Sequence, residues 1–112
     1  MNFSSEHKIV LDKILLGNPL VRSGKMFGLP AYYVGKKRCI CLYEQGVGLK
    51  VPEATVARLL ASDGNTIPFQ PLGKARMRQW IQINLSRSED YWQYQSIFEE
   101  SIHFIAAQSG NQ

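Results

Sequence analysis

The chain is poor in the residues that cross-link small proteins or bind metals, with two cysteines and two histidines among its 112 residues. Cys39 and Cys41 are two positions apart in an apolar run. On a strand they would point to the same face about 6.6 Å apart, which is a poor geometry for a disulfide. His7 and His103 lie near opposite ends of the sequence, without the spacing of metal ligands. We therefore expect buried, reduced thiols, no metal and no cofactor.

Long apolar runs are also absent. No segment approaches the roughly 20 apolar residues that span a bilayer. The first helical stretch, residues 4–16, carries four charged side chains, and this excludes the apolar centre of a secretory signal peptide. We expect a cytoplasmic protein that does not contact membranes.

Catalytic motifs are missing too. The sequence contains no Gly-x-Ser-x-Gly elbow, His-Glu-x-x-His pair or phosphate-binding P-loop. Neither histidine has an acid-base partner at a recognisable spacing, and we interpret His7 as a surface residue and His103 as a residue at the rim of the last helix. Glu99 and Glu100 diverge by about 100° on a helix and cannot share a site. The sequence predicts that the protein is not an enzyme.

The composition is that of one globular domain. Apolar residues make up 45% of the chain and charged residues 20%, which is enough for a core without cross-links. We expect residues 1–112 to form a single domain, with 108–112 as a flexible polar tail.

Turn residues and apolar spacing predict the order of the elements. A first helix begins at Ser4 or Ser5 and ends at residues 17–19, where a glycine and a proline stop it. Ile9, Val10, Lys13, Ile14 and Leu16 fit its 3.6-residue period, with Lys13 as a charged member of the set.

Strands are expected at 21–27, 31–34, 38–44 and 47–51, joined by short glycine turns into an antiparallel meander. Tyr32 and Tyr33 then point to opposite faces, so at most one of them joins the core. A bulge at Gly24 or Gly48 would change which face each later side chain occupies.

A second helix begins at Pro52, and two more strands are expected at 66–70 and 76–84. Ser86 and Glu89 fit a capping box that starts the last helix. Its apolar stripe is Tyr91, Tyr94, Phe98, Ile102 and Ile105. The predicted fold class is α+β: a two-layer structure in which helices pack on an antiparallel sheet, in the order α-β-β-β-β-α-β-β-α.

Three short motifs follow one another along the chain: Lys25-Met26-Phe27-Gly28, then Tyr32-Tyr33-Val34-Gly35-Lys36, then Val47-Gly48-Leu49-Lys50-Val51. Pro68-Phe69 and Gly73-Lys74 follow in the chain. In this order the sequence resembles the TfoX N-terminal-domain-like family, over about residues 22–107.

The resemblance implies a small cytoplasmic protein with a two-layer fold related in architecture to type III secretion chaperones. The namesake of the family regulates natural competence, and there a second, helical domain follows this one. The resemblance implies no catalytic residues. It favours a stand-alone interaction or regulatory module.

Charge is distributed unevenly along the chain, whose net charge is +4. Residues 22–78 contain ten Lys or Arg and three acids, a balance of +7, whereas residues 86–100 contain one Arg and four acids, a balance of −3. The hairpin region is therefore basic and the last helix acidic.

The basic hairpins suggest a nucleic-acid interface. One tip would carry Lys36, Lys37 and Arg38, and the other Lys74, Arg76 and Arg78, with Trp80 next to it as a stacking surface. In the alternative interpretation the tips are merely solvated and Trp80 packs in the core.

The leading hypothesis is a non-enzymatic interaction module that binds a protein or nucleic acid. We expect a homodimer, because a sheet of six short strands leaves edges that need covering. In another arrangement the basic edge of one copy would meet the acidic last helix of a second copy. Nucleic-acid binding through the basic hairpins is the alternative function.

Overall fold

In the computed structural model, which describes residues 2–73, 75 and 77–109, three helices pack on one six-stranded antiparallel sheet. The helices are α1 (Ser5–Leu15), α2 (Glu53–Ser62) and α3 (Gln95–Ser109). The strands are β1 (Val21–Met26), β2 (Leu29–Val34), β3 (Lys37–Tyr43), β4 (Gly46–Lys50), β5 (Thr66–Pro68) and β6 (Trp80–Asn84).

The strands lie in the order β1-β2-β3-β4-β6-β5, and every neighbouring pair is antiparallel. This confirms the predicted fold class and the predicted order of helices and strands. Within the described ranges, no helix combines the length and the apolar character needed to cross a membrane.

Helix α1 begins where its capping residue predicts, but a different face is buried. The Ser4 Oγ accepts a hydrogen bond from the His7 backbone N–H at 3.2 Å. The buried positions are His7, Leu11 and Leu15, which are spaced by four residues along one face. Ile9 is exposed. Of the residues predicted to share the helical period, Val10 and Ile14 are partly buried against the core, whereas Leu16 is exposed like Ile9. The predicted surface position of His7 is wrong, because His7 occupies the core side of the first turn.

The main core lies between the helices and one face of the sheet. Leu11, Val56, Phe98 and Ile102 pack there against inward-facing residues of the central strands. Tyr32 is buried in this core, and its hydroxyl donates to Asp12 Oδ1 at 2.5 Å. Tyr33 is half-buried on the opposite face, which confirms that only one of the two tyrosines joins the main core.

An irregularity in β3 separates the two cysteines. Tyr32 pairs with Ile40 and Tyr33 with Arg38, so the register skips Cys39. With this extra residue, Cys39 enters the main core and Cys41 lies on the other face. The expectation of a shared face is wrong, because the bulge occurs here rather than at Gly24 or Gly48. Both thiols are free and buried, as expected.

The second face of the sheet is covered by the connection between β5 and β6. This segment includes a short 3-10 turn at Pro71–Gly73, and its residues Phe69 and Met77 pack on this face together with Trp80 of β6. The last predicted strand begins at Trp80 instead of residue 76, because the Trp80 N–H bonds the Met77 carbonyl at 3.2 Å and turns the chain.

The capping box predicted at Ser86 and Glu89 does not form. Residues Ser88–Tyr94 form a 3-10 helix whose capping residue is Arg87, without a side-chain hydrogen bond. This segment packs on α1 and brings the Tyr91 hydroxyl to 3.1 Å from His7 Nδ1. Most of the predicted stripe is nevertheless buried: Tyr91, Phe98, Ile102 and Ile105. Helix α3 continues to Ser109, so the expected tail is helical at 108 and 109; positions 110–112 lie outside the described residues.

Candidate functional site

One end of the second sheet face carries a row of cations from strands that are distant in sequence. The register places Arg22 beside Tyr33 and Tyr33 beside Arg38. Lys50 lies beside Trp80 on the neighbouring strands β4 and β6. Cross-strand neighbours in an antiparallel sheet point to the same side. We call the three cations Arg22, Arg38 and Lys50 the basic row.

The basic row borders a groove of about 410 Å³. Its lining combines cations with apolar side chains: Lys36, Lys37, Arg38, Lys50, Met26, Met77 and Trp80. The three cations of the hairpin tip are exposed, while Lys50 and Met77 are half-buried. Arg78 borders an adjoining depression together with Lys50 and Trp80. The arrangement suits an anion that also carries an apolar or aromatic part.

The outermost cation of the row is held in place. The Arg22 Nε donates to the Gly35 carbonyl at 3.0 Å, and its guanidinium carbon lies 5.1 Å from the centre of the Tyr33 ring. The ring attracts the cation, and the hydrogen bond restricts its rotamers. Arg22 therefore presents its remaining N–H groups at the end of the row without first being ordered by a ligand.

Acidic partners are absent from the row. Within the described part of the chain, the ion pairs are Lys8–Asp12, Arg58–Glu100 and Arg87–Glu89, all away from the groove. Glu53 borders the adjoining depression near Arg78, but it forms no ion pair there. Among the described residues, four cations thus line the groove without an ion-pair partner: Lys36, Lys37, Arg38 and Lys50. Arg22 lies at the β1 end of the basic row, and Arg78 borders the adjoining depression.

Trp80 is not free to stack on a ligand. It is 6% exposed, and its ring centre lies 5.5 Å from that of Phe69 in a tilted arrangement. Only its rim reaches the groove. The arrangement is that of the alternative interpretation, in which Trp80 packs in a core.

Four of the predicted site residues come together in this groove: Lys36, Lys37, Arg38 and Trp80. Arg78 lies beside them, and Lys74 and Arg76 lie outside the described residues. Sequence reasoning missed Arg22, Lys50, Met26 and Met77. Each is unremarkable in its own segment. Strand register places Arg22 beside Tyr33 and Lys50 beside Trp80, and the fold of the β5–β6 connection brings Met77 to the same groove as Met26.

Other polar features are more isolated. His7 is 4% exposed, and burial lowers its pKa, against the smaller opposing effects of the Glu6 charge and a hydrogen bond with the Leu85 backbone. Burial also raises the pKa of Cys39 and of Cys41 to about 12. His103 is exposed on α3. Across the described residues, no three His, Cys, Asp or Glu side chains cluster closely enough to hold a metal ion.

Comparison with known proteins found no match to this chain among protein-family models, curated proteins or solved structures.

Proposed function

We propose that this domain is a non-enzymatic binding module and that its ligand is nucleic acid, held by its phosphates along the basic row. The observation that carries the proposal is one groove lined by four cations without ion-pair partners, with Arg22 and Arg78 next to it. Lys and Arg side chains that neutralise phosphates release counterions, and this release drives association with nucleic acids.

The nearby apolar side chains strengthen the proposal. A site for a small inorganic anion needs only cations and N–H donors, whereas Met26, Met77 and the rim of Trp80 line the same groove. Nucleic acid supplies both a charged backbone and apolar base faces.

The test is fluorescence anisotropy with labelled 20-nucleotide single and double strands, titrated with protein at 50 to 300 mM salt. When all six cations engage, log K falls with log salt with a slope of about −4 for a single strand and about −5 for a duplex. Absence of binding at 50 mM salt to every strand would overturn the proposal.

A pair of matched charge-reversal variants separates the groove from net charge. The groove variant combines Lys36→Glu and Arg38→Glu; the control variant combines Lys13→Glu and Arg87→Glu, which are exposed and away from the groove. Each variant changes the net charge by −4, from +4 to 0. We expect the groove variant to lose at least about tenfold in affinity and to reduce the salt slope by about 1.5. Equal losses in the two variants would locate binding elsewhere.

We also propose membership of the TfoX N-terminal-domain-like family and an interaction or regulatory role within the cytoplasm. The order of helices and strands supports this, as does the Met26-Phe27-Gly28 sequence at the first hairpin. A regulatory role predicts that binding, rather than turnover, is the measurable activity.

A homodimer is the second proposal, and charge supports it. Glu99 on α3 is exposed, and so is Glu89 on the preceding 3-10 helix, where it pairs with Arg87. Their negative charge complements the basic row of another copy. Pairing of edge strands between two copies is less favourable. On edge strand β1 the Tyr33 hydroxyl already donates to the Lys25 carbonyl, and the other edge strand, β5, has three residues, one of which is Pro68. Size-exclusion chromatography with light scattering at tens of micromolar protein tests whether the homodimer forms. A monomer at 50 mM salt would overturn the dimer.

A further inference from the structure

We infer that the groove takes a single nucleic-acid strand in preference to a duplex and contacts about six nucleotides or fewer. This inference rests on the proposed function, because it specifies the ligand of the same groove. Three features carry it: the position of Lys50, the apolar lining, and the width of the site across the strands.

The position of Lys50 favours a ligand that enters the groove. Lys50 is half-buried beside Trp80, whereas Lys36 and Arg38 are exposed at the rim. A phosphate that pairs with Lys50 as well as with the rim cations therefore has to lie inside the groove. The backbone of a duplex is carried on a stiff cylinder, while a single strand bends to follow a channel of positive charge.

The apolar lining favours exposed bases. Met77 is half-buried and is the lining apolar residue with substantial accessible surface, because Met26 is 4% and Trp80 6% exposed. A thioether makes favourable contacts with aromatic rings. Bases of a single strand can present their faces to such side chains, whereas in a duplex those faces are stacked inside.

The width of the site across the strands limits the number of nucleotides. From Arg22 on β1, through Arg38 and Lys50, to Trp80 on β6, the site crosses four strand-to-strand steps, or about 19 Å at about 4.8 Å each. Phosphates of one stacked strand are spaced about 3.4 Å apart along the axis, so the site spans about six of them. An unstacked strand is more extended and fills the site with fewer.

The experiment compares affinities in the same anisotropy assay at 100 mM salt. The probes are a 20-nucleotide DNA strand, an RNA strand of the same sequence, the DNA duplex, and DNA strands of 3, 6, 9 and 12 nucleotides. We expect the single strands to bind at least about tenfold more tightly than the duplex. Affinity should rise steeply up to about six nucleotides and then only in proportion to the number of possible registers.

The outcomes separate this inference from the proposed function. A duplex that binds as tightly as the single strand would overturn the inference and leave nucleic-acid binding intact, and so would a steep rise that continues to 12 nucleotides. Failure of every probe at 50 mM salt would overturn the proposed function itself. A difference between the DNA and RNA strands would identify which of the two the groove favours.

Substitutions at Met77 test the base contact. We expect Met77→Ser to weaken binding of the single strand by about two- to tenfold, and Met77→Leu to restore it to within about twofold. Neither variant should alter binding of an abasic strand of equal length, which has the phosphates without the bases. An equal loss on the abasic strand would contradict a contact between Met77 and the bases.

Discussion

The aromatic ring of Phe69 lies on Gly48, in the middle of strand β4. A Cβ atom at position 48 would come within 2.8 Å of Phe69 Cε1 and Cζ. Phe69 is fully buried, with its ring edge-on to Tyr43 at 5.4 Å and tilted against Trp80 at 5.5 Å. The cover of the second sheet face therefore depends on the absence of a side chain at position 48.

We predict that Gly48→Ala lowers the free energy of unfolding by about 1 to 3 kcal/mol, the usual range for overpacking a filled core. The chain entropy that alanine removes from the unfolded state offsets only about 0.4 to 1 kcal/mol. Urea unfolding followed by circular dichroism measures the change. Gly64→Ala is the matched control, because no atom lies within 4 Å of its added Cβ, and it should shift stability by less than about 0.5 kcal/mol. Equal effects of the two substitutions would mean that Phe69 moves aside without cost.

Local signals were sufficient for most of the fold. Ser4 caps α1, Pro52 precedes α2, and the glycine at position 35 marks a hairpin turn, as each residue type predicts. These features depend on a few neighbouring residues, so they can be recognised in the sequence alone.

The bulge in β3 could not be predicted, for a definite reason. Five consecutive residues from Cys39 to Tyr43 are buried, because helices cover one face and the Phe69 segment covers the other. A strand buried on both sides has no alternation of polar and apolar residues, so nothing in the sequence marks Cys39 as the extra residue.

Tertiary contacts overrode two other local signals. Tyr91 packs edge-on against His7, with ring centres 5.0 Å apart, and the segment that carries it adopts a 3-10 helix instead of the predicted capped α-helix.

Only part of the candidate site could be predicted from the sequence. The cluster Lys36 to Arg38 is contiguous in sequence, whereas Arg22 and Lys50 join it only through strand register.

We predict that Phe27→Asn stabilises the protein. Phe27 has a φ of 57° at the β1–β2 turn, a left-handed conformation that disfavours bulky residues, and Gly28 follows with a φ of 76°. Asn-Gly is the preferred sequence for a two-residue turn of this type. Phe27 is 39% exposed, so the loss of its ring removes limited packing. We expect a gain of about 0.5 to 1 kcal/mol in the free energy of unfolding, measured in urea.

The control for this prediction is Phe27→Ala. Alanine also removes the ring but keeps a Cβ atom without a side chain suited to the left-handed region. The difference between the asparagine and alanine variants therefore isolates the backbone effect. If alanine stabilises as much as asparagine, the exposed ring and not the backbone conformation is the source of strain.

We predict that neither cysteine reacts in the folded protein. Burial raises the pKa of both thiols to about 12, so at pH 8 almost no thiolate is present. The bulge also places Cys39 and Cys41 on opposite faces of the sheet, which prevents a disulfide between them. A colorimetric thiol reagent should detect no cysteine at pH 8 in buffer and two in 6 M guanidinium chloride. Rapid labelling of one thiol in buffer would show that its face of the sheet opens.

The final prediction concerns the buried histidine of α1. Burial holds the pKa of His7 below 6.5, and the nearby Glu6 charge and Leu85 backbone compensate only partly. Because the unfolded chain binds the proton more readily than the folded one, the contribution of neutral His7 to stability is complete above pH 6.5 and is lost as the pH falls below it. The urea concentration at the midpoint of unfolding should therefore decrease as the pH is lowered from 7.5 to 5.5. Carboxylates usually titrate below this pH range.

Two variants separate His7 from the rest of the molecule. His103→Gln removes the exposed histidine of α3 and should leave the pH dependence unchanged. His7→Gln removes the titrating ring from its position against Tyr91, where Nδ1 and the hydroxyl are 3.1 Å apart, and should lower stability at pH 7.5 while flattening its dependence on pH. If the stability of His7→Gln still depends on pH between 7.5 and 5.5, another group titrates in this range. The contact between His7 and Tyr91 then does not respond to protonation.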